Sequence, residues 1–220
     1  MGSTACRQGA GPGGFKLAGG DPCLDFANTV DWHASRDPHD RLSSYDDLVA
    51  WSRQAGLLSQ TAAGRLRREA ARRPAAAART YRGAIALREA IYSIFAALAR
   101  DRTPASADLA VLNAWLARAL GRQKVVRAAS GLAMRWDGGE RTLDAMLWPL
   151  VRSAAELATS ARRSRVGQCE DERGCGWLFL DRSRNRSRRW CDMSDCGNRA
   201  KVRKYHLRSR ASRAEVMVNE

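Results

Sequence analysis

The chain has 220 residues and a mass of 24.2 kDa, and 45% of its residues are hydrophobic. This content is enough for the core of one ordinary domain plus a small module, and it excludes a wholly disordered protein. The longest apolar stretch, residues 84–99, is interrupted by Arg88 and Glu89, so the sequence offers none of the roughly 18-residue apolar runs that span a membrane. The formal net charge of +15 indicates a polyanionic partner but defines no fold.

The first 14 residues are rich in glycine and predict a mobile tail, in which Cys6 is incidental and metal-free. Because this start has no apolar signal segment, we expect a cytoplasmic protein with reduced cysteines. Two extended runs, residues 15–18 and 23–30, flank a Gly-Gly-Asp-Pro turn. They predict a β-hairpin in which Cys23 is buried.

Four helices are predicted next from capping residues and apolar periodicity. Ser44 and Ser59 open the first two, and the second of these ends near Pro74. Apolar residues recur at three- and four-residue steps over residues 79–99, which predicts a central helix buried on one side. Ser106 is predicted to cap the fourth helix.

The first domain is completed by a second hairpin and a fifth helix. Residues 124–129 and 132–136 predict two strands around a tight turn, and residues 142–160 predict a helix kinked at Pro149. Residues 15–160 therefore form a helix-rich domain with small β-hairpins, and residues 161–167 are interpreted as a linker. The predicted fold class is α+β.

Four of the six cysteines lie close together in the sequence, at Cys169, Cys175, Cys191 and Cys196. A structural zinc site needs four soft ligands, commonly supplied as two local pairs joined by about 15 to 20 residues. The spacing therefore predicts one structural Zn²⁺ in a module over residues 168–215. His206 is near enough to compete as a ligand, although four cysteines already suffice.

The segments around the polar turn of this module, residues 177–181 and 188–191, predict a hairpin, and the segment after Cys196 is compatible with a helix. Two knuckles, a hairpin and a helix together describe a small treble-clef-like zinc finger. Trp177, Phe179 and Trp190 are candidates for its miniature core. Because so small a unit has little apolar surface, metal ligation would supply the missing folding free energy.

These motifs resemble a known pair of modules. The stretch from Cys169 to the Cys-Gly-Asn-Arg tetrapeptide at residues 196–199 resembles the CGNR zinc finger. Upstream, Gly19-Gly20 with residues 24–29 and 87–90 resemble the ABATE domain, which accompanies this finger in bacterial proteins described as stress-induced transcription regulators. The resemblance implies a DNA-binding regulator and covers nearly the whole chain after residue 14.

Positive charge is concentrated in the finger, where residues 182–213 contain 12 basic side chains and two acidic ones. A metal-held scaffold would present these cations to phosphates on one surface, whereas the alternative is a solvated basic tail. A base reader is expected near Asn198 or Arg199. The predicted nucleic-acid contacts are Arg184, Arg186, Arg188, Asn198, Arg199, Lys201, Arg203, Lys204 and Arg208.

In the first domain, Asp25, Asn28 and Arg88 are predicted to lie close together, either as a site for a small-molecule effector or as an internal ion pair with an asparagine turn. His33 and His39 lack partners at a catalytic spacing, and no phosphate-binding glycine loop is present, so no enzyme activity is expected.

Three hypotheses follow for the function. The first is a DNA-binding regulator whose first domain senses a small molecule or mediates assembly into oligomers. The second is a zinc module that binds RNA or an acidic protein surface. The third is an enzyme in the first domain, with the finger as a targeting device. The sequence contains no reactive pair of side chains that would support it.

Overall fold

The computed structural model of the chain describes residues 14–129, 131–139 and 142–218, with side chains as far as Ser209. Cys6 and the predicted tail, apart from Gly14, lie outside the described residues. Within them the α-helices are α1 (Pro22–Ala27), α2 (Tyr45–Gln54), α3 (Gln60–Arg72), α4 (Pro74–Leu98), α5 (Ser106–Leu120), α6 (Leu147–Thr159) and α7 (Asn198–Val218). The strands are β1 (Val30–Asp31), β2 (His39–Asp40), β3 (Gln123–Ala128), β4 (Gly131–Trp136), β5 (Val166–Gln168) and β6 (Leu178–Leu180), which pair in three antiparallel two-stranded sheets.

Helix α1 stands where the first hairpin was predicted, and that prediction was wrong. Pro22 occupies the first helical turn, where its missing amide donor costs nothing. The helix buries Cys23, Leu24 and Phe26, so Cys23 is buried as predicted but within a helix. A short apolar run fits a buried strand or a buried helical turn equally well, because periodicity alone does not separate them.

Helices α2 and α3 begin where the capping residues predicted. The Ser44 hydroxyl accepts a hydrogen bond from the Asp47 amide at 3.2 Å, and the Ser59 hydroxyl accepts one from the Ala62 amide at 3.1 Å. Each bond satisfies an amide that lacks a partner within its helix. Gly56, just beyond α2, has a φ of 75°, a left-handed conformation that favours glycine and ends the helix.

The central helix α4 starts at Pro74, earlier than the apolar periodicity predicted. Its buried positions include Ala84, Leu87, Ile91 and Phe95, and it packs against α1, α5 and α6. The predicted stripe therefore faces the core as expected.

Two boundaries in the second half of this domain differ from prediction. The capping position of α5 is Ala105, so Ser106 is its first residue and not its cap. Helix α6 begins at Leu147, which places Pro149 in the first turn, where a missing amide donor requires no kink. The β3–β4 hairpin is confirmed, with Val125 opposite Met134.

The segment predicted as a linker is part of the fold. A 3₁₀ helix covers Ala161–Arg165, and β5 follows directly and pairs with β6, with Val166 opposite Leu180. The predicted hairpin between residues 177–181 and 188–191 is therefore wrong, because β6 takes its partner from before the first zinc-site cysteine. Val166, Leu178 and Leu180 join the core of the first domain.

Helix α7 is the last element and starts immediately after the second cysteine pair. Its exposed side chains include Val202, Tyr205 and Leu207. Among the described residues, no helix combines the length and the apolar character needed to cross a membrane.

Candidate metal centre

The four predicted cysteines converge on one buried point. The ligand atoms of Cys169, Cys175, Cys191 and Cys196 all lie within 4.8 Å of one another. Cys191 Sγ is 3.7 Å from Cys175 Sγ and 3.5 Å from Cys196 Sγ. A tetrahedral Zn²⁺ with Zn–S bonds of about 2.3 Å separates its sulfurs by about 3.8 Å. The four thiols therefore fit one structural Zn²⁺ with a closed ligand shell.

The electrostatics of the cluster favour metal binding. Hydrogen bonds with the other three sulfurs lower the pKa of the Cys169 thiol far below its usual range. A lowered pKa favours the thiolate, which is the form of cysteine that ligates metals. Cys23 is not in this cluster, and neither is His206, which is exposed on α7 beside Tyr205.

The first knuckle owes its shape to two glycines around Cys175. Gly174 and Gly176 have φ values of 85° and 66°, a region that L side chains rarely adopt. A Cβ at Gly174 would lie 2.7 Å from Ser35 Cα, and one at Gly176 would lie 2.5 Å from Ala34 Cβ. The knuckle therefore needs glycine both for its own turn and for its close approach to the first domain.

The second knuckle is a single π-helical turn, Met193–Gly197, that leads directly into α7. The Asp192 side chain accepts a hydrogen bond from the Ser194 amide at 2.7 Å and forms an ion pair with Lys16 at 2.7 Å. Burial raises the pKa of Asp192, but these interactions outweigh it and lower the pKa to about 2. The turn is thus tied to the start of the described chain.

Arg199, predicted as a base reader, lies at the metal centre. Its guanidinium donates to Cys196 Sγ at 2.8 Å and pairs with the buried Asp171 at 2.8 Å. It also lies 5.0 Å from the centroid of the Trp32 ring. Because Zn²⁺ with four thiolates carries a net charge of −2, a guanidinium on one sulfur offsets part of that charge and orients the ligand.

Arg188 also serves the interior of the module. Its guanidinium lies 4.4 Å from the centroid of the Phe179 ring. It donates to four backbone carbonyl oxygens, those of Ala18, Leu180, Trp190 and Cys191. A side chain that satisfies four carbonyls is a structural clamp. No sequence signal predicts this role, since a basic residue in a basic segment resembles a surface cation.

The remaining predicted nucleic-acid residues lie on or near the surface. Arg203 is half-buried and pairs with Glu172, and its Nη2 lies 3.8 Å from Asp171 Oδ1. The exposed ones are Arg184, Arg186, Asn198, Lys201, Lys204 and Arg208.

Asn28 joins the first domain to the finger. Its side-chain amide donates to the Leu178 carbonyl at 2.8 Å and accepts from the Leu178 amide at 2.8 Å, so it pairs with strand β6 as a neighbouring strand would. Trp177 Nε1 donates to the Val30 carbonyl at 2.7 Å, and the Leu180 amide donates to the Gly19 carbonyl at 2.7 Å. The metal-binding module is thus hydrogen-bonded along its strand to the first domain.

Asp25 and Arg88 have partners of their own. Asp25 accepts from the Gly19 amide at 2.7 Å, and burial raises the pKa of this carboxyl to about 6. Arg88 forms two hydrogen bonds of 2.7 Å with Asp40. Within the described chain no hydrogen bond or ion pair links Asp25, Asn28 and Arg88 to one another, and their contacts agree with internal structural roles.

Two family models together match most of the chain. The ABATE model, described as "Putative stress-induced transcription regulator", matches residues 20–161, and the CGNR zinc finger model matches residues 165–209. Neither is an enzyme family. A comparison with curated proteins gave no match. The chain belongs to the ABATE family and carries, after its ABATE domain, a CGNR zinc finger with a four-cysteine site for one structural Zn²⁺.

Proposed function

We propose that this protein is a transcription regulator that binds duplex DNA through α7 and through the finger loop, which carries Arg184 and Arg186. Its first domain senses a small molecule or mediates assembly. The single observation that carries the proposal is a row of exposed cations on α7. Lys201, Lys204 and Arg208 are spaced by three and four residues and so share one helix face. We call this row the basic stripe.

The basic stripe is separate from the cations that serve the metal centre. Arg199 and Arg203 lie on another face of α7, where both pair with Asp171. Among the described residues, neither Lys201 nor Lys204 has an acidic partner. A cation without an acidic partner can neutralise a phosphate of the DNA, which releases the counterions condensed there and so contributes to affinity.

The finger loop extends the positive surface. Arg184 and Arg186 are exposed, and Arg186 stands at a φ of 50° in the turn. A groove of about 390 Å³ lies between the end of this loop and α7, with Arg189 on one side and Lys201 and Lys204 on the other. Glu170, which pairs with Arg189, and Glu172 also line it, so the positive charge of this groove is carried by the two lysines. Loop and helix are held by the same four cysteines, so their spacing is fixed before any partner binds.

Duplex DNA is favoured over single-stranded RNA by the burial of two of the finger's three predicted core aromatics. Trp177 and Phe179 are each 1% exposed, which removes them as stacking platforms for unpaired bases, whereas Trp190 is half-buried and lines the groove beside Lys201. Tyr205 on α7 is exposed and is the ring nearest the basic stripe in sequence. A helix of 21 residues is about 31 Å long and suits the contour of a duplex groove.

The test is a fluorescence anisotropy titration of the zinc-loaded full chain with a random-sequence duplex at several salt concentrations. The stripe variant replaces Lys201, Lys204 and Arg208 with Ala. The matched control removes three exposed arginines from the first domain, Arg68, Arg82 and Arg102. Both variants lower the net charge by the same amount, so they separate a local interface from general attraction.

The wild-type affinity is expected to fall steeply with salt, and the stripe variant to lose up to about 2.7 in the slope of log K against log salt, at about 0.9 per phosphate contact. The control variant should keep the wild-type slope. Equal losses in both variants, or binding that ignores salt, would contradict the proposal. Tighter binding to single-stranded RNA or to an acidic peptide in the same titration would favour those alternatives.

A further inference from the structure

The first domain contains a cavity of about 440 Å³ between the start of α4, helix α5 and the segment that precedes α6. Its walls include Arg73, Arg79 and Thr80 from the start of α4, Trp115 and Arg118 from α5, and Asp144. This volume is in the range of small-molecule sites. The mixture of one carboxylate, several guanidiniums and one indole restricts what such a molecule can be.

Asp144 is the feature that points to a ligand. The residue is 2% exposed, and in the described part of the chain neither carboxylate oxygen receives a hydrogen bond. Arg118 Nε lies 2.6 Å from Oδ2, and the side chain of Arg118 is 58% exposed. Arg118 therefore neutralises the buried charge without a well-formed hydrogen bond, which leaves the carboxylate incompletely satisfied. A ligand that brings an N–H donor and a positive charge would complete the pairing by taking the place of Arg118.

Another part of the lining suits an anionic group. Arg79 is exposed and has no acidic partner among the described residues. Arg73, at the capping position of α4, adds a second guanidinium to the lining, where it also pairs with Glu69.

Trp115 supplies an apolar part of the lining. Its ring packs tightly on α4, because a Cβ at Gly83 would lie 2.9 Å from Trp115 Cζ2. Ala76 and Leu143 line the same cavity. An indole fixed in this way can hold an aliphatic or aromatic group by stacking and dispersion.

We propose that this cavity binds a small zwitterion of the amino-acid class. Asp144 would accept from the ammonium group, Arg79 would hold the carboxylate, and the side chain would lie on Trp115. The inference rests on the ligand-sensing part of the proposed function, and it names the site and the class of ligand.

The experiment uses the zinc-loaded full chain without DNA. Thermal shift with each common L-amino acid at millimolar concentration selects binders, and calorimetry then compares the best binder with two analogues, one lacking the amine and one lacking the carboxylate. We expect each analogue to bind about tenfold more weakly or worse, since each loses one charged contact. Failure of every amino acid to bind would overturn the proposal.

Three variants locate the site. Asp144→Asn should weaken the amino acid about tenfold while leaving the amine-free analogue unchanged, whereas Arg79→Ala should weaken both. Arg82→Ala, an exposed change on α4 outside the cavity, should alter neither. If Asp144→Asn does not fold, the comparison of Arg79→Ala with Arg82→Ala still decides, because equal affinities in these two would refute the site. DNA titrations are run separately, so a failure here is distinguishable from a failure of DNA binding.

Discussion

Replacement of Asn28 by Ala tests whether the ABATE domain and the zinc finger form one cooperative unit. Asn28 makes two hydrogen bonds of 2.8 Å to the backbone of Leu178, and both residues are buried. The variant leaves a backbone amide and a carbonyl without partners. Each unsatisfied buried group costs about 1–3 kcal/mol, so we expect a loss of about 2–5 kcal/mol in the free energy of unfolding, a large part of the stability of an ordinary domain.

Urea unfolding followed by circular dichroism, with zinc present, measures this loss. Asn113→Ala is the matched control, because Asn113 is exposed on α5 and the same substitution there should change the free energy of unfolding by less than about 0.5 kcal/mol. If Asn28→Ala were equally neutral, the reasoning that its two bonds hold the finger to the first domain would be refuted.

Asn28→Asp adds a test by pH. The aspartate can accept from the Leu178 amide, but only its protonated form can donate to the Leu178 carbonyl. The folded state should therefore bind a proton that the unfolded chain has released, which raises the pKa of the new carboxyl. Relative to wild type, the variant should gain stability as the pH falls from 7 towards 5. A pH-independent difference would contradict this assignment.

Three further predictions concern single residues. Cys191→Ser should lose stoichiometric zinc in elemental analysis, whereas Cys23→Ser should keep it. Burial raises the pKa of Asp25 from 3.8 to about 6. Between these two pH values the folded state holds a proton that the unfolded chain has released, so the free energy of unfolding falls as the pH rises through this range. Asp25→Asn should remove this pH dependence and stabilise the protein by at most about 3 kcal/mol at pH 7, as measured by urea unfolding. Arg188→Ala should lower the free energy of unfolding by about 2–4 kcal/mol because its carbonyl partners lose their donor, while the exposed Arg184→Ala should not; equal effects would argue against the clamp.

Features set by local chemistry could be predicted from the sequence. Ser44 and Ser59 cap helices because a side-chain oxygen three residues before a free amide is a local relation. The four-cysteine site has the same character, since two local pairs supply a closed set of ligands. The buried stripe of α4 follows from its periodicity.

Features set by distant partners could not be predicted. Strand β6 resembles half of a hairpin, but its partner β5 lies before Cys169, and nothing in the composition of either strand selects that pairing. Arg188 and Arg199 count as surface cations in any charge inventory, yet one binds backbone carbonyls and the other a zinc ligand and Asp171. Only the three-dimensional arrangement distinguishes an arginine that supports the module from one that is available to a partner.

Helix α4 connects the proposed ligand cavity to the metal centre. Arg79 lines the cavity, and Tyr92, about 20 Å further along the helix, donates to the Gly176 carbonyl at 3.2 Å and accepts from Gln168 at 2.7 Å. Gly176 follows Cys175 in the first knuckle, and α7 begins beside the last zinc ligand. A ligand that shifted α4 against α5 would therefore also move Tyr92 and, through its hydrogen bond to Gly176, the first knuckle. If the finger binds DNA as proposed, these contacts would give the first domain a physical means of changing that affinity.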